Sequence, residues 1–174
     1  RMDAYKQESR EIMRLVAATG AQVEQMSIDE AYADVSALCS GENVDDALQS
    51  AVPLARELKQ RIRAERGLTA TIGIASNKLL AKIASDHHKP DGLTVILERD
   101  KVQFLRPLPV RALYGVGKVT EQTLNRAGID TIGALQDFPN DLRALLGSFG
   151  PTLKQFAFGE ANRPLRSEER RVGK

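Results

Sequence analysis

The chain has 174 residues, 42% of them apolar and 28% charged, with a net charge of +2, which describes a globular protein and not a disordered one. One cysteine, Cys39, rules out an internal disulfide and any cysteine-rich zinc site, and two histidines, His87 and His88, are too few for a histidine metal cage. No apolar run is long enough to span a bilayer and no secretory leader pattern opens the chain. The expected setting is therefore reducing and cytoplasmic, with no membrane partner.

Residues 3–18 place Tyr5, Ile12, Met13, Leu15 and Val16 mostly on one side of a helix, with Gly20 as its stop. VEQMSIDEAYADVS, residues 23–36, reads as two short strands about a tight reversal. After the loop 39–43, Asn43 is placed to cap a helix over 44–65, which Pro53 should kink or interrupt. The pattern then predicts a strand over 69–75, a helix over 76–89, and a short strand over 93–96 behind a Lys-Pro-Asp-Gly turn. His87 and His88 are expected as exposed residues at that helix end, with no role. Beyond about residue 98 strand signals vanish, and short helices alternate with glycine turns over 99–105, 109–129, 131–138, 141–150 and 151–159. The organisation expected is an α+β unit over 1–98 followed by a small all-helical module over 99–165.

Charge follows the same division. Residues 1–98 carry 12 basic and 15 acidic side chains, whereas residues 99–165 carry 9 basic and 6 acidic. An acidic half beside a basic half suits a metal site next to a module that binds a polyanion. Residues 166–174, RSEERRVGK, occupy a linker position, and the opening bases of a common short-read sequencing adapter can encode them. They are expected to be read-through from library preparation, which a re-sequenced gene with these nine codons in unbroken frame would refute.

Three motifs carry chemistry. In Ser27-Ile28-Asp29-Glu30-Ala31-Tyr32, with Asp34 beyond, two adjacent carboxylates sit at the strand reversal and repel each other. A divalent cation removes that cost, since Mg²⁺ favours carboxylate and phosphate oxygens. Neighbours in a regular strand point to opposite faces, so both acids reach one site only if the chain turns there. The alternative is an acidic hairpin end solvated by water. In the second motif, Lys78, Lys82 and Lys89 recur at spacings of four and seven on the helix over 76–89. Such a row could neutralise a triphosphate or a DNA backbone, or form the solvated face of an amphipathic helix. The third is Leu113-Tyr114-Gly115-Val116-Gly117-Lys118-Val119-Thr120. It is not a P-loop, because Ala112 stands where the first glycine belongs and Val119 follows the lysine. Nor is it a dinucleotide fingerprint, because Thr120 holds the third glycine position. What remains is a short helix, a two-glycine hairpin, and a helix over about 118–127 closed by Gly128. Such a helix–hairpin–helix offers free helix N–H groups, close backbone approach and a lysine to a phosphate; the alternative is an ordinary packing corner between helices.

In order and spacing, SIDEAYADVS, TATIGIASNKLLAKIASDHHKPDGL and LPVRALYGVGKVTEQTLNRAGI resemble the Y-family (translesion) DNA polymerases, and within them the DinB branch, over about residues 1–165. The resemblance implies an incomplete antiparallel palm sheet with helices, followed by a helical helix–hairpin–helix thumb. It implies Asp29 and Glu30 as catalytic and metal-binding residues for two Mg²⁺ ions, and Lys89, with Lys82, at the incoming deoxynucleoside triphosphate. It places Ser27 near the primer end, and Gly115, Val116, Gly117, Lys118 and Thr120 on the DNA backbone. The family places a further metal-binding aspartate on a first palm strand, has fingers with tyrosine and arginine contacts to the triphosphate, and continues into a little finger. None of these is found in this sequence, so a fragment with half a metal site, inactive alone, is expected. The implied partners are primer–template DNA, a deoxynucleoside triphosphate and, through parts outside this chain, a sliding clamp; the implied state is a monomer. A competing expectation is a non-catalytic DNA-binding module that works through the helix–hairpin–helix.

Overall fold

A computed structural model describes residues 1–162; the end of the expected helical module and the whole 166–174 segment, with its adapter reading, lie outside the described residues. The chain opens with α1 (Met2–Ala17), which the turn at Gly20 ends. Strands β1 (Gln22–Gln25) and β2 (Ala31–Asp34) form an antiparallel hairpin with Val23 opposite Ala33 and Glu24 opposite Tyr32. Asn43 caps α2 (Val44–Ser50), its side chain accepting from the Asp46 amide. The helix expected over 44–65 is broken into α2 and α3 (Val52–Arg66), and Pro53 sits in the first turn of α3, where its missing N–H costs nothing.

The second strand pair is β3 (Ile72–Ile74) with β4 (Leu93–Val95), and it is parallel. The hairpin is antiparallel as expected of the palm sheet; this pair is not. Helix α4 (Lys78–Asp86) lies between the two strands in sequence, and a crossover of that kind is what lets strands run the same way. Gly73 allows α4 to lie directly on β3, since a Cβ there would collide with the backbone of Ala81 and Ser85. The hairpin and the parallel pair remain separate two-stranded sheets.

Helix α4 is shorter than the pattern over 76–89 predicts. Asn77 caps it, accepting from the Leu80 amide at 2.9 Å, and the chain leaves it at His87. His88 and Asp91 take left-handed backbone conformations, and Lys89 lies in the turn between them. His87 is not simply exposed, because its ring packs edge-on against Phe104, 5.2 Å between centroids.

The remainder is helical: α5 (Lys101–Leu105), α6 (Lys118–Arg126), α7 (Ile132–Asp137), α8 (Arg143–Leu146) and α9 (Phe149–Ala157). The main apolar cluster runs from Leu79, Leu80, Ile83 and Ala84 of α4 through Leu105, Leu124 and Ile132 to Leu153 and Phe156. The apolar face of α4 is thus buried against the helical module, each fully buried Leu or Ile contributing about 1.5–3 kcal/mol. A smaller cluster joins Ala51, Ala55 and Ile74. Lys154 closes the C-terminus of α7, donating to the carbonyls of Leu135, Gln136 and Phe138 at 2.7–2.9 Å. Among the described residues no helix is long and apolar enough to cross a membrane.

Candidate active site

The two acids can share a site only if the chain reverses at them, and it does. The amides of Met26 and Ser27 both donate to the Glu30 carbonyl, at 2.9 and 3.2 Å, so Ser27, Ile28 and Asp29 form the tip of the hairpin. Ser27 Oγ donates to Asp29 Oδ1 at 2.7 Å, and Gln25 Nε2 donates to the Ser27 carbonyl at 2.9 Å and to Ser9 Oγ on α1 at 3.2 Å. Ser27 therefore orients Asp29, and the tip is tied to α1. Asp34 stays out of the site: it turns to Ser36, whose hydroxyl and amide hold its carboxyl below the ordinary carboxylate range.

Glu30 is ion-paired to Lys82, Lys82 lies 3.6 Å from Asp86, and Asp86 is 2.7 Å from Lys89. The hairpin acid and two of the three lysines picked out by spacing are thus joined in one chain of charges. Partial burial pulls the Lys82 ammonium down, but its hydrogen bond to Glu30 and the charges of Asp86, Glu30 and Tyr32 outweigh that and leave its pKa raised. Lys89 is not on the helix with the other two, and the turn that bears it is held from α3. There Lys59 Nζ bonds the Ala70 carbonyl, Asp91 Oδ1 at 2.6 Å and the Gly92 carbonyl at 3.3 Å.

Asp29 and Glu30 are exposed hard-oxygen donors, and Mg²⁺ is commonly held by one or two carboxylates together with water and phosphate oxygens. The pair fits that role as a partial ligand set, although among the described residues no three His, Cys, Asp or Glu side chains gather to hold an ion.

The glycine hairpin stands on the helical module. A 3-10 turn (Val110–Ala112) takes the place of the short first helix, Gly115 has φ +87°, and Gly117 caps α6 without a side-chain bond. The first amides of α6 therefore have no partner within the helix. Lys118 and Gly117 are exposed, Thr120 is partly buried, and Val116 is 8% exposed with its side chain in the core. Gly115 faces the Phe149 ring, where a Cβ would collide. No ion pair joins this hairpin to the acidic one among the described residues.

Three residues at the acidic hairpin escape a reading by spacing: Glu24, Tyr32 and the inward use of Lys78. Lys78 Nζ lies 3.1 Å from Glu24 Oε2 and 4.9 Å from the Tyr32 ring centroid. Glu24 occupies the buried position of β1, where alternation favours an apolar residue. Nothing in a single sequence pairs it with a lysine 54 positions away.

Comparison with known proteins agrees with the fold and with the order of the motifs. Residues 1–86 match the impB/mucB/samB family, and residues 102–129 match the IMS family HHH motif. The DNA polymerase IV of Clostridium perfringens (strain SM101 / Type A) is 43% identical over 166 residues, which is 94% of this chain and 44% of that protein. A Y-family DNA polymerase chimera superposes with a TM-score of 0.83 at 32% identity, over 97% of this chain and 48% of the other. An insertion ternary complex of Dbh DNA polymerase does so with a TM-score of 0.82 at 33% identity, over 95% of this chain and 47% of the other. The chain thus spans about half the length of the proteins it matches. With both family matches in the expected order and the fold shared at this identity, the chain belongs to the DinB branch of the Y-family DNA polymerases.

Proposed function

We propose that this chain carries the acidic palm corner and the thumb hairpin of a translesion DNA polymerase, which adds a nucleotide from a deoxynucleoside triphosphate to a primer 3′-hydroxyl. The observation that carries this is the reversal at residues 27–30, which leaves Asp29 and Glu30 exposed at the turn, with Glu30 linked through Lys82 and Asp86 to Lys89. Asp29 and Glu30 hold Mg²⁺, two ions in the whole enzyme, which when bound neutralises phosphate charge and acidifies the attacking hydroxyl. Ser27 keeps the Asp29 carboxylate turned to the tip. Lys89 and Lys82 meet the triphosphate, and Gly115, Gly117, Lys118 and the free amides of α6 take the DNA backbone without reading its sequence. The kinship with a polymerase solved as an insertion ternary complex supports DNA and a nucleotide as partners.

With two carboxylates at the tip, ions bind this chain weakly and out of line, and misplacement of that kind removes most of the rate. The 174-residue chain is expected to bind primer–template DNA and to extend it negligibly. Primer extension that disappears in Asp29→Ala would overturn the inactivity. Failure to bind DNA even at low salt would sink the assignment of the glycine hairpin. A second reading, a DNA-binding module without catalysis, is favoured by one observation: the glycine hairpin is complete, whereas the carboxylate set is partial. It predicts DNA binding with no divalent-ion site at Asp29.

A further inference from the structure

Of the two lysines on α4, Lys82 faces the hairpin tip and Lys78 faces its flank. The Lys78 side chain is 18% exposed and that of its partner Glu24 is 7% exposed, so the pair is largely withdrawn from water. The same ammonium lies over the Tyr32 ring. Glu24 and Tyr32 are direct partners in the β1–β2 ladder. One charge on α4 therefore grips both strands of the hairpin at a single rung, by an ion pair to one and a cation–π contact to the other. One helical turn further on, Lys82 takes Glu30. Tyr32 of that rung lies two residues beyond Glu30 in the chain, so Lys78 grips the hairpin close to its tip.

A withdrawn ion pair adds little net stability over an apolar pair of the same shape, so its effect is better sought in what it orients. We propose that Lys78 is a positioning residue for the Asp29–Glu30 carboxylates, fixing the hairpin through Glu24 and Tyr32 so that both acids meet one divalent ion. This rests on the assignment of Asp29 and Glu30 as metal ligands.

The test is Mn²⁺ binding to the 174-residue chain, read from the electron paramagnetic resonance of the free ion, with DNA binding followed in parallel by fluorescence anisotropy. Asp29→Ala is expected to remove the Mn²⁺ site. Lys78→Met alone takes the ammonium away from a Glu24 carboxylate that is largely withdrawn from water, so it is combined with Glu24→Gln to remove both charges together. The double variant is expected to fold, to keep its DNA affinity, and to lose about tenfold in Mn²⁺ affinity, the size of loss typical of a group that orients a metal ligand. Lys78→Arg, which keeps the charge over Tyr32, is expected to restore most of that affinity. The proposal is overturned if the double variant binds Mn²⁺ normally while Asp29→Ala does not. It is also overturned if DNA and Mn²⁺ binding fall together, or if the double variant cannot fold, since Lys78 would then serve stability alone. If Asp29→Ala leaves Mn²⁺ binding intact, the metal assignment itself fails, a result distinct from these.

Discussion

Asp34 ends β2 by accepting from the hydroxyl and the amide of Ser36, and these bonds hold its carboxyl below the ordinary 3.8 against a small opposing effect of burial. Asp91 is lowered by its bond to Lys59, Asp137 by Arg106, Asp141 by the Arg143 amide, and Glu8 by Arg66. In each case the unfolded carboxylate binds protons more readily than the folded one. Each contribution is therefore fully present above the unfolded pKa and is lost as pH falls through the folded value. The urea midpoint of the chain is expected to be flat between about pH 5 and neutral pH and to fall below about pH 4. Asp34→Asn should lower the midpoint at neutral pH and make the acid limb shallower. An acid limb of unchanged slope in Asp34→Asn would remove Asp34 from the list.

Three glycines separate packing from function within their elements. Gly73 is where α4 rests on β3, and a methyl group there meets the backbone of Ala81 and Ser85, which cannot swing aside. Gly73→Ala is expected to cost about 1–3 kcal/mol or more by overpacking, measured by urea unfolding. Gly115 combines φ +87° with the Phe149 ring against it, so its replacement should also destabilise. Gly117 has φ −84°, and nothing lies within 4 Å of an added Cβ. Gly117→Ala is therefore expected to leave the urea midpoint unchanged while weakening DNA binding, because the methyl group occupies the space a phosphate would enter. Equal affinity in Gly117→Ala would place the DNA elsewhere. Lys118→Ala should reduce the dependence of log affinity on log salt by about 1, as one phosphate contact is lost.

Across the whole chain, the cluster that begins at Leu79 on α4 continues without a break into the helical module and ends at Ala157. The Asn77 side chain adds a polar tie, donating to the Gly159 carbonyl at 2.9 Å. The α+β part and the helical part therefore share a core through α4. Leu80, fully buried at that junction, is the point to probe. Leu80→Ala is expected to cost about 2–5 kcal/mol and to shift one cooperative transition. Two separated transitions, followed by far-UV circular dichroism and by hydrogen exchange in α6, would show that the helical module folds on its own.

Much was legible in the chain alone because it depends on neighbours in sequence. Asn43 and Asn77 announce helix starts by a side chain that reaches three residues ahead, Pro53 announces the break between α2 and α3, and the spacing of Gly115, Gly117 and Lys118 announces the hairpin. VEQMSIDEAYADVS shows its reversal as two short strand patterns joined by a polar turn. Contacts between distant residues left no such trace. The parallel pairing of β3 and β4, the departure of Lys89 from the lysine face, and the turning of Lys78 toward Glu24 arise when α4 packs on β3 and against the helical module. That packing decides which lysines meet water and which meet the hairpin, because periodicity gives a side chain its face on a helix while only the fold gives that face its neighbour.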